Sequence, residues 1–174
     1  MERQKIQQTE LDSAVKFRLG FPMGIFELAD FTGLDVIHKA TVEMHTRDKK
    51  VILPHPTIEQ LFNEKKLGQK SGEGFYKYSD DKYERIPLSE ELAQKANPVQ
   101  IIANILNKAA WIDTNNASVP DEIEKAANLG LGLKKPLFDT AKEMGIKKIV
   151  EELKKLSKKH GAFYEPDPLL LSMC

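Results

Sequence analysis

The residues best suited to chemistry lie in a glycine-rich stretch, Leu67-Gly68-Gln69-Lys70-Ser71-Gly72-Glu73-Gly74-Phe75-Tyr76-Lys77-Tyr78. Glycines at this density let a backbone approach a ligand closely, and Lys70 is a mobile cation suited to phosphate. The spacing is not a dinucleotide fingerprint. The third glycine of G-x-G-x-x-G would fall where Lys77 stands, and no strand pattern precedes the stretch. A P-loop does not fit either. A surface turn with one solvated lysine above packed aromatics accounts for the same residues.

A second candidate is the turn Gly20-Phe21-Pro22-Met23-Gly24, which could present backbone amides to a substrate or simply let two helices pack. Glu27, Asp30 and Asp35 follow closely, with Glu27 and Asp30 on one helical face at i,i+3. They could form a general acid/base pair, although cap or solvated-face carboxylates have the same spacing. His38, His45, His55 and His160 show no compact metal-ligand spacing. No Ser/His/Asp arrangement stands out, and Cys174 has no evident activating base. Trp111 reads as a core or interface anchor. No residue is assigned a catalytic or metal-binding role.

The elements that carry these residues repeat. Aligning Leu11 with Ile123 sets a constant offset of 112 residues. At that offset Ala14 meets Ala126, Gly20 meets Gly132, Phe26 meets Phe138, and Gly33 meets Gly145. The proline pair Pro54 and Pro56 falls on Pro166 and Pro168. Period and cap signals predict helices in the first copy over Asp12 to Phe17, over Ile25 to Phe31, from Leu34, and from Pro56. In the second copy they predict helices from Pro98, after Ser118, from Pro136, from Ile146, and from Pro168. No strand–helix alternation appears, so the expected fold is all-α, with the two copies packed as a pseudo-dimer. The expected domains are 1–85 and 86–174, joined through the stretch Ser79 to Ala96. The helix from Pro98 to Asp113 has no counterpart in the first copy, and Asn63 to Tyr78 has none in the second. Each unit is therefore expected to be clipped on its outer side and to belong to a longer polypeptide.

Composition narrows the function classes. The chain has 174 residues, with 26 Lys+Arg against 26 Asp+Glu, so nothing drives it toward phosphate backbones or anionic membranes. The single cysteine excludes an internal disulfide and suits a reducing, cytosolic compartment. No apolar run approaches the ~20 residues of a membrane span, and the polar N-terminus does not read as a signal peptide. Neither nucleic acid nor membrane is an expected partner.

The run from Pro22-Met23-Gly24-Ile25-Phe26-Glu27-Leu28-Ala29-Asp30 to Gly33-Leu34-Asp35 resembles the C-terminal helical domain of 3-hydroxyacyl-CoA dehydrogenases. That family reads ID-x-A, then G-x-P-M-G-P-F-x-L-x-D-x-x-G-L-D, then G-x-K-x-G-x-G-F-Y-x-Y. Leu11-Asp12-Ser13-Ala14 and the Gly68 to Tyr78 stretch supply the flanking motifs, and Ile25 stands where proline is usual. The resemblance covers the first copy strongly and the second as a degenerate repeat. It implies NAD-dependent interconversion of 3-hydroxyacyl-CoA and 3-oxoacyl-CoA in fatty-acid β-oxidation. The family's His–Glu proton relay sits on a Rossmann domain that this sequence lacks, so no catalytic residue transfers and the chain alone is expected to be inactive. By the same resemblance Lys70 reaches the NAD cofactor across a domain boundary, and Pro22, Met23 and Gly24 form part of the wall near the acyl chain. The implied partners are an acyl-CoA substrate, a Rossmann domain and an enoyl-CoA hydratase domain of a parent chain, and a second copy in a homodimer. The competing class is a helical scaffold or dimerisation module without chemistry.

Overall fold

The computed structural model describes residues 8–78, 88–133 and 135–174. Among these the fold is helical throughout, with only isolated bridges near Glu73 in place of strands. The helices are α1 (Gln8–Arg18), α2 (Ile25–Thr32), α3 (Leu34–Arg47), α4 (Pro56–Asn63), α5 (Glu90–Ala93), α6 (Val99–Thr114), α7 (Pro120–Leu131), α8 (Leu137–Met144), α9 (Ile146–His160) and α10 (Pro168–Ser172). None is long and apolar enough to cross a membrane. The chain divides into two compact units, 1–14 with 23–96 and 15–22 with 97–174. The expected boundary at 85/86, and the first half of the joining stretch from Ser79, lie outside the described residues.

The helix starts follow their chemistry. Prolines open α4, α7 and α10, where the missing amide costs nothing. His55 caps α4, accepting the Thr57 amide at 3.2 Å, and Asp167 caps α10, accepting that of Leu169 at 3.0 Å. α7 begins at Pro120 behind Val119, which offers no side-chain cap, and closes on Gly132, whose φ of +63° suits glycine. The repeat survives in the elements, since α1 to α4 shifted by 112 residues fall on α7 to α10 to within a residue at their starts.

In the first unit α3 packs on α2 and α4, and the short turn Gln69–Ser71 packs on α2. Ala93 and Ala96, after the Ser89-capped α5, close on Ala14 with Leu11 beside them. In the second unit α6 lies across α7, α8, α9 and α10. The apolar stripe of α9, Ile149, Val150, Leu153 and Leu156, is buried, each side chain contributing roughly 1.5–3 kcal/mol. Its lysines face outward. Asn107 of α6 is a buried polar member of this core, beside Thr140 and Asp167. Its amide donates to the Glu165 carbonyl and its oxygen accepts the Asp167 amide, both at 2.8 Å. Trp111 is 53% exposed and anchors no core.

Candidate functional site

The motif residues of the first unit are assembled by two buried carboxylates. Asp12, on α1, is fully buried and stands where the N-cap side chain of α2 would be. Its oxygens accept the amides of Phe26 at 2.9 Å and Glu27 at 3.0 Å. The cap position itself is Gly24, and a Cβ there would lie 2.1 Å from Asp12 Cγ. Glu27 turns back to accept the Gly24 amide at 3.1 Å, completing a capping box in which Asp12 supplies the missing side chain. Gly24 is therefore required by the close approach of Asp12.

Asp30, at the other end of α2, holds the glycine-rich stretch. It accepts the amides of Phe75 and Tyr76 and the Tyr78 hydroxyl, each at 2.9 Å. Tyr76 then reaches Asp12 through its own hydroxyl at 2.8 Å, so one residue ties both carboxylates together. The rings of Phe26 and Phe75 meet at 4.7 Å. A Cβ on Gly74 would sit 2.1 Å from Asp30 Oδ1, and one on Gly68 would sit 2.2 Å from the Asp30 carbonyl oxygen. These glycines permit the stretch to close on Asp30, not on a ligand. Burial pushes both carboxyls above the usual carboxylate range, against the pull of their donors. Burial, followed by the charge of Asp12, raises the Tyr76 hydroxyl far above its ordinary value.

Lys70 stands at the edge of this assembly. Its ammonium donates to Asp35 in the first turn of α3, and that hydrogen bond, as the largest cause, holds the Asp35 carboxyl below its usual range. The Lys70 side chain remains 47% exposed. An ammonium has three donors, so one bond to Asp35 leaves two for another group. Of the two readings of Glu27 and Asp30, the cap reading fits: each carboxylate accepts backbone amides, Glu27 that of Gly24 and Asp30 those of Phe75 and Tyr76. Pro22 belongs to the second unit, where a Cβ on Gly132 would approach its Cγ to 3.0 Å, while Met23 and Gly24 belong to the first.

The histidines have local partners. His38 stacks on Phe62 at 4.1 Å and contacts Glu59 through Nε2 at 2.5 Å, and His45 reaches the Val51 carbonyl at 2.5 Å. His160 meets the Tyr164 ring. In the second unit a groove of about 490 Å³ opens between α6, α7 and α8, walled by Ile105, Ala109, Ile112, Ile123 and Leu137. None of the motif residues lines it. The residue that sequence reasoning passed over is Asp12 as a cap, although the offset that aligns it with Glu124 was legible.

The comparisons bear on the same residues. Residues 1–78 match the family model for the 3-hydroxyacyl-CoA dehydrogenase C-terminal domain. The mitochondrial hydroxyacyl-coenzyme A dehydrogenases of Rattus norvegicus and Homo sapiens are each 42% identical over 79 residues, covering 44% of this chain and 25% of theirs. The chain thus matches about a quarter of the length of these curated relatives. Among solved structures, 3-hydroxybutyryl-CoA dehydrogenase from Escherichia coli matches the fold over 96% of this chain and 54% of its own, at TM-score 0.74 and 18% identity. The dehydrogenase part of a multifunctional enzyme from C. elegans does so over 97% and 44%, at TM-score 0.62 and 20% identity. The sequence match ends at Tyr78, the last residue of the stretch that Asp30 holds, and over residues 1–78 the chain is similar to the C-terminal domains of 3-hydroxyacyl-CoA dehydrogenases.

Proposed function

We propose that this polypeptide is the helical lobe of an NAD-dependent 3-hydroxyacyl-CoA dehydrogenase, forming one wall of the cleft in which a 3-hydroxyacyl thioester and its 3-oxo product interconvert. The observation that carries this reading is the double clamp. Asp12 and Asp30 draw the Met23 to Asp35 and Gly68 to Tyr78 segments of the first unit into one body and leave the Lys70 ammonium at its edge. NAD, when bound, supplies the hydride acceptor. Lys70 is the residue here fitted to meet it, since its two remaining donors suit a hydroxyl or phosphate oxygen. Met23 and Gly24 line the approach of the acyl chain, and the family resemblance assigns Pro22 the same role. Hydride transfer needs a base for the hydroxyl proton, and the buried carboxylates described above are fully engaged. The base and most of the cofactor site therefore come from a Rossmann domain of the parent chain.

Pairing of the two repeats as an internal pseudo-dimer, with the boundary near residue 85, belongs to the same proposal, as does fusion to an enoyl-CoA hydratase. The lone cysteine supports a cytosolic compartment, whereas the rat and human relatives are named mitochondrial; cell fractionation decides between them. The function is tested by incubating the 174-residue chain with acetoacetyl-CoA and NADH. No turnover is expected, and steady NADH consumption contradicts the proposal. Sizing chromatography run alongside separates a monomeric pseudo-dimer from a scaffold that assembles through second copies.

A further inference from the structure

The groove of the second unit takes no part in the double clamp, and its walls are of one kind. The turn 115–119 folds α7 back along α6, and these two helices form the long sides. Midway along stand Ala109 on α6 and Ala126 and Ala127 on α7, small residues that leave the gap open. Ile123 and Leu137, both buried, supply the floor. α6 rises roughly 12 Å between Asn104 and Ile112, and α7 about as far between Glu122 and Leu131. The result is a slot of about 490 Å³, a size that suits a small molecule.

The polar groups are few and lie on the two helices that form its sides. Lys108 is held over the Phe163 ring at 3.9 Å, and Asn104 stands one turn before it on α6. Asn104 gives one amide hydrogen to the Gln100 carbonyl at 3.0 Å and keeps the other. The α6 side therefore offers hydrogen-bond donors. Glu122, on α7, is the one carboxylate among the described residues that line the slot. No aromatic ring is among them, so nothing there stacks on a nucleobase.

We propose that this slot binds an unbranched acyl chain of about eight to ten carbons, an extended chain advancing roughly 1.2 Å per bond. The chain lies between the alanines. Its polar end, a carboxylate or a thioester carbonyl, accepts hydrogen bonds from Lys108 and Asn104. Glu122 disfavours a second negative charge, so a dicarboxylate is excluded. The site belongs to the second unit alone and holds whether or not the enzymatic reading does.

The test titrates the intact 174-residue chain with octanoate and, separately, with octanoyl-CoA, following methyl NMR signals. Saturation below about 1 mM is expected, with the methyls of Ile105, Ile112 and Ile123 shifting. Butanoate, four methylenes shorter, binds at least about tenfold more weakly. Ala126→Phe, which fills the slot from an exposed position, lowers the affinity about tenfold or more. Leu129→Glu, on the exposed side of α7, leaves it unchanged. Tighter binding of octanoate identifies the free acid as the source, and tighter binding of octanoyl-CoA the thioester; both support the slot. Three results overturn the proposal: no saturation by either probe, shifts that avoid the three isoleucines, or an Ala126→Phe chain that binds as well as the parent. Shifts of the same methyls with protein concentration alone would overturn it too, and would assign the slot to a second copy.

Discussion

Asp12 and Glu124 perform the same task in their own units, 112 residues apart. Asp12 accepts the amides of Phe26 and Glu27 at the start of α2, and Glu124 accepts those of Leu137 and Phe138 at the start of α8. Phe26 and Phe138 are equivalent at the same offset. A helix N-terminus leaves amides without intrahelical partners, and each unit satisfies two of them with a carboxylate from the preceding long helix. The two caps then diverge. Asp12 is buried and also takes the Tyr76 hydroxyl, whereas Glu124 is partly exposed.

That divergence sets the size of the two losses. Asp12→Ala strands two amides and a hydroxyl, and is expected to destabilise the first unit by about 2–4 kcal/mol. Glu124→Ala is expected to cost about 1 kcal/mol. Urea unfolding followed by far-UV circular dichroism measures both. Equal losses would contradict the assignment of Tyr76 to Asp12.

Two glycines make an opposed pair. Gly74→Ala places its Cβ 2.1 Å from Asp30 Oδ1 and is expected to destabilise by about 1–3 kcal/mol. Gly130, inside α7, has nothing within 4 Å of the same atom, and Gly130→Ala is expected to stabilise by about 0.5–1 kcal/mol. Thermal melts of the two variants should move in opposite directions.

The carboxylates give the stability a pH dependence with a definite sign. Burial raises Asp12 and Asp30 above 3.8 in the folded state, so their share of stability is fully present below pH 3.8 and is lost as pH rises through the raised folded values. Asp35 acts in reverse. Lys70 holds it below 3.8, so its share is present above pH 3.8 and lost as pH falls through the lowered value. Asp30→Asn is less stable than the parent because it loses acceptors. The gap in urea midpoint between the two should narrow as pH rises above 3.8, and a gap that widens would contradict the burial argument.

Lys70 separates function from folding. Its exposed pair with Asp35 contributes little to stability. Lys70→Ala is expected to leave the unfolding midpoint of this chain unchanged within error. Placed in the full dehydrogenase, the same substitution is expected to raise the KM for NAD with a smaller effect on kcat. A folding defect with an unchanged KM would make Lys70 structural.

Much of this was legible in the residues. Prolines and glycines marked the helix ends because they fix or free φ, and a constant offset tied the two halves without any knowledge of contacts. The motif stretches could also be named. Their reason could not, because it lies in distances across the chain. Asp30 meets Tyr76 over 46 residues, and Asp12 meets it over 64. Gly68 and Gly74 read as room for a ligand or as part of a surface turn over packed aromatics, and the close approach of Asp30 to both is visible only in the structure. Of the two readings of Trp111, core or interface anchor, its 53% exposure removes the core one, since an aromatic on an apolar helix is buried only when some element covers its face.

The central claim is that this chain completes a dehydrogenase cleft without running it. Complementation tests it most directly: the chain is mixed with the NAD-binding domain of a related 3-hydroxyacyl-CoA dehydrogenase cut free of its own helical lobe, and NADH oxidation by acetoacetyl-CoA is followed. The account predicts turnover in the mixture and none from either part, with Lys70→Ala weakening the dependence on NADH. NADH oxidation by the chain alone, or a mixture no faster than its separate components, would contradict it.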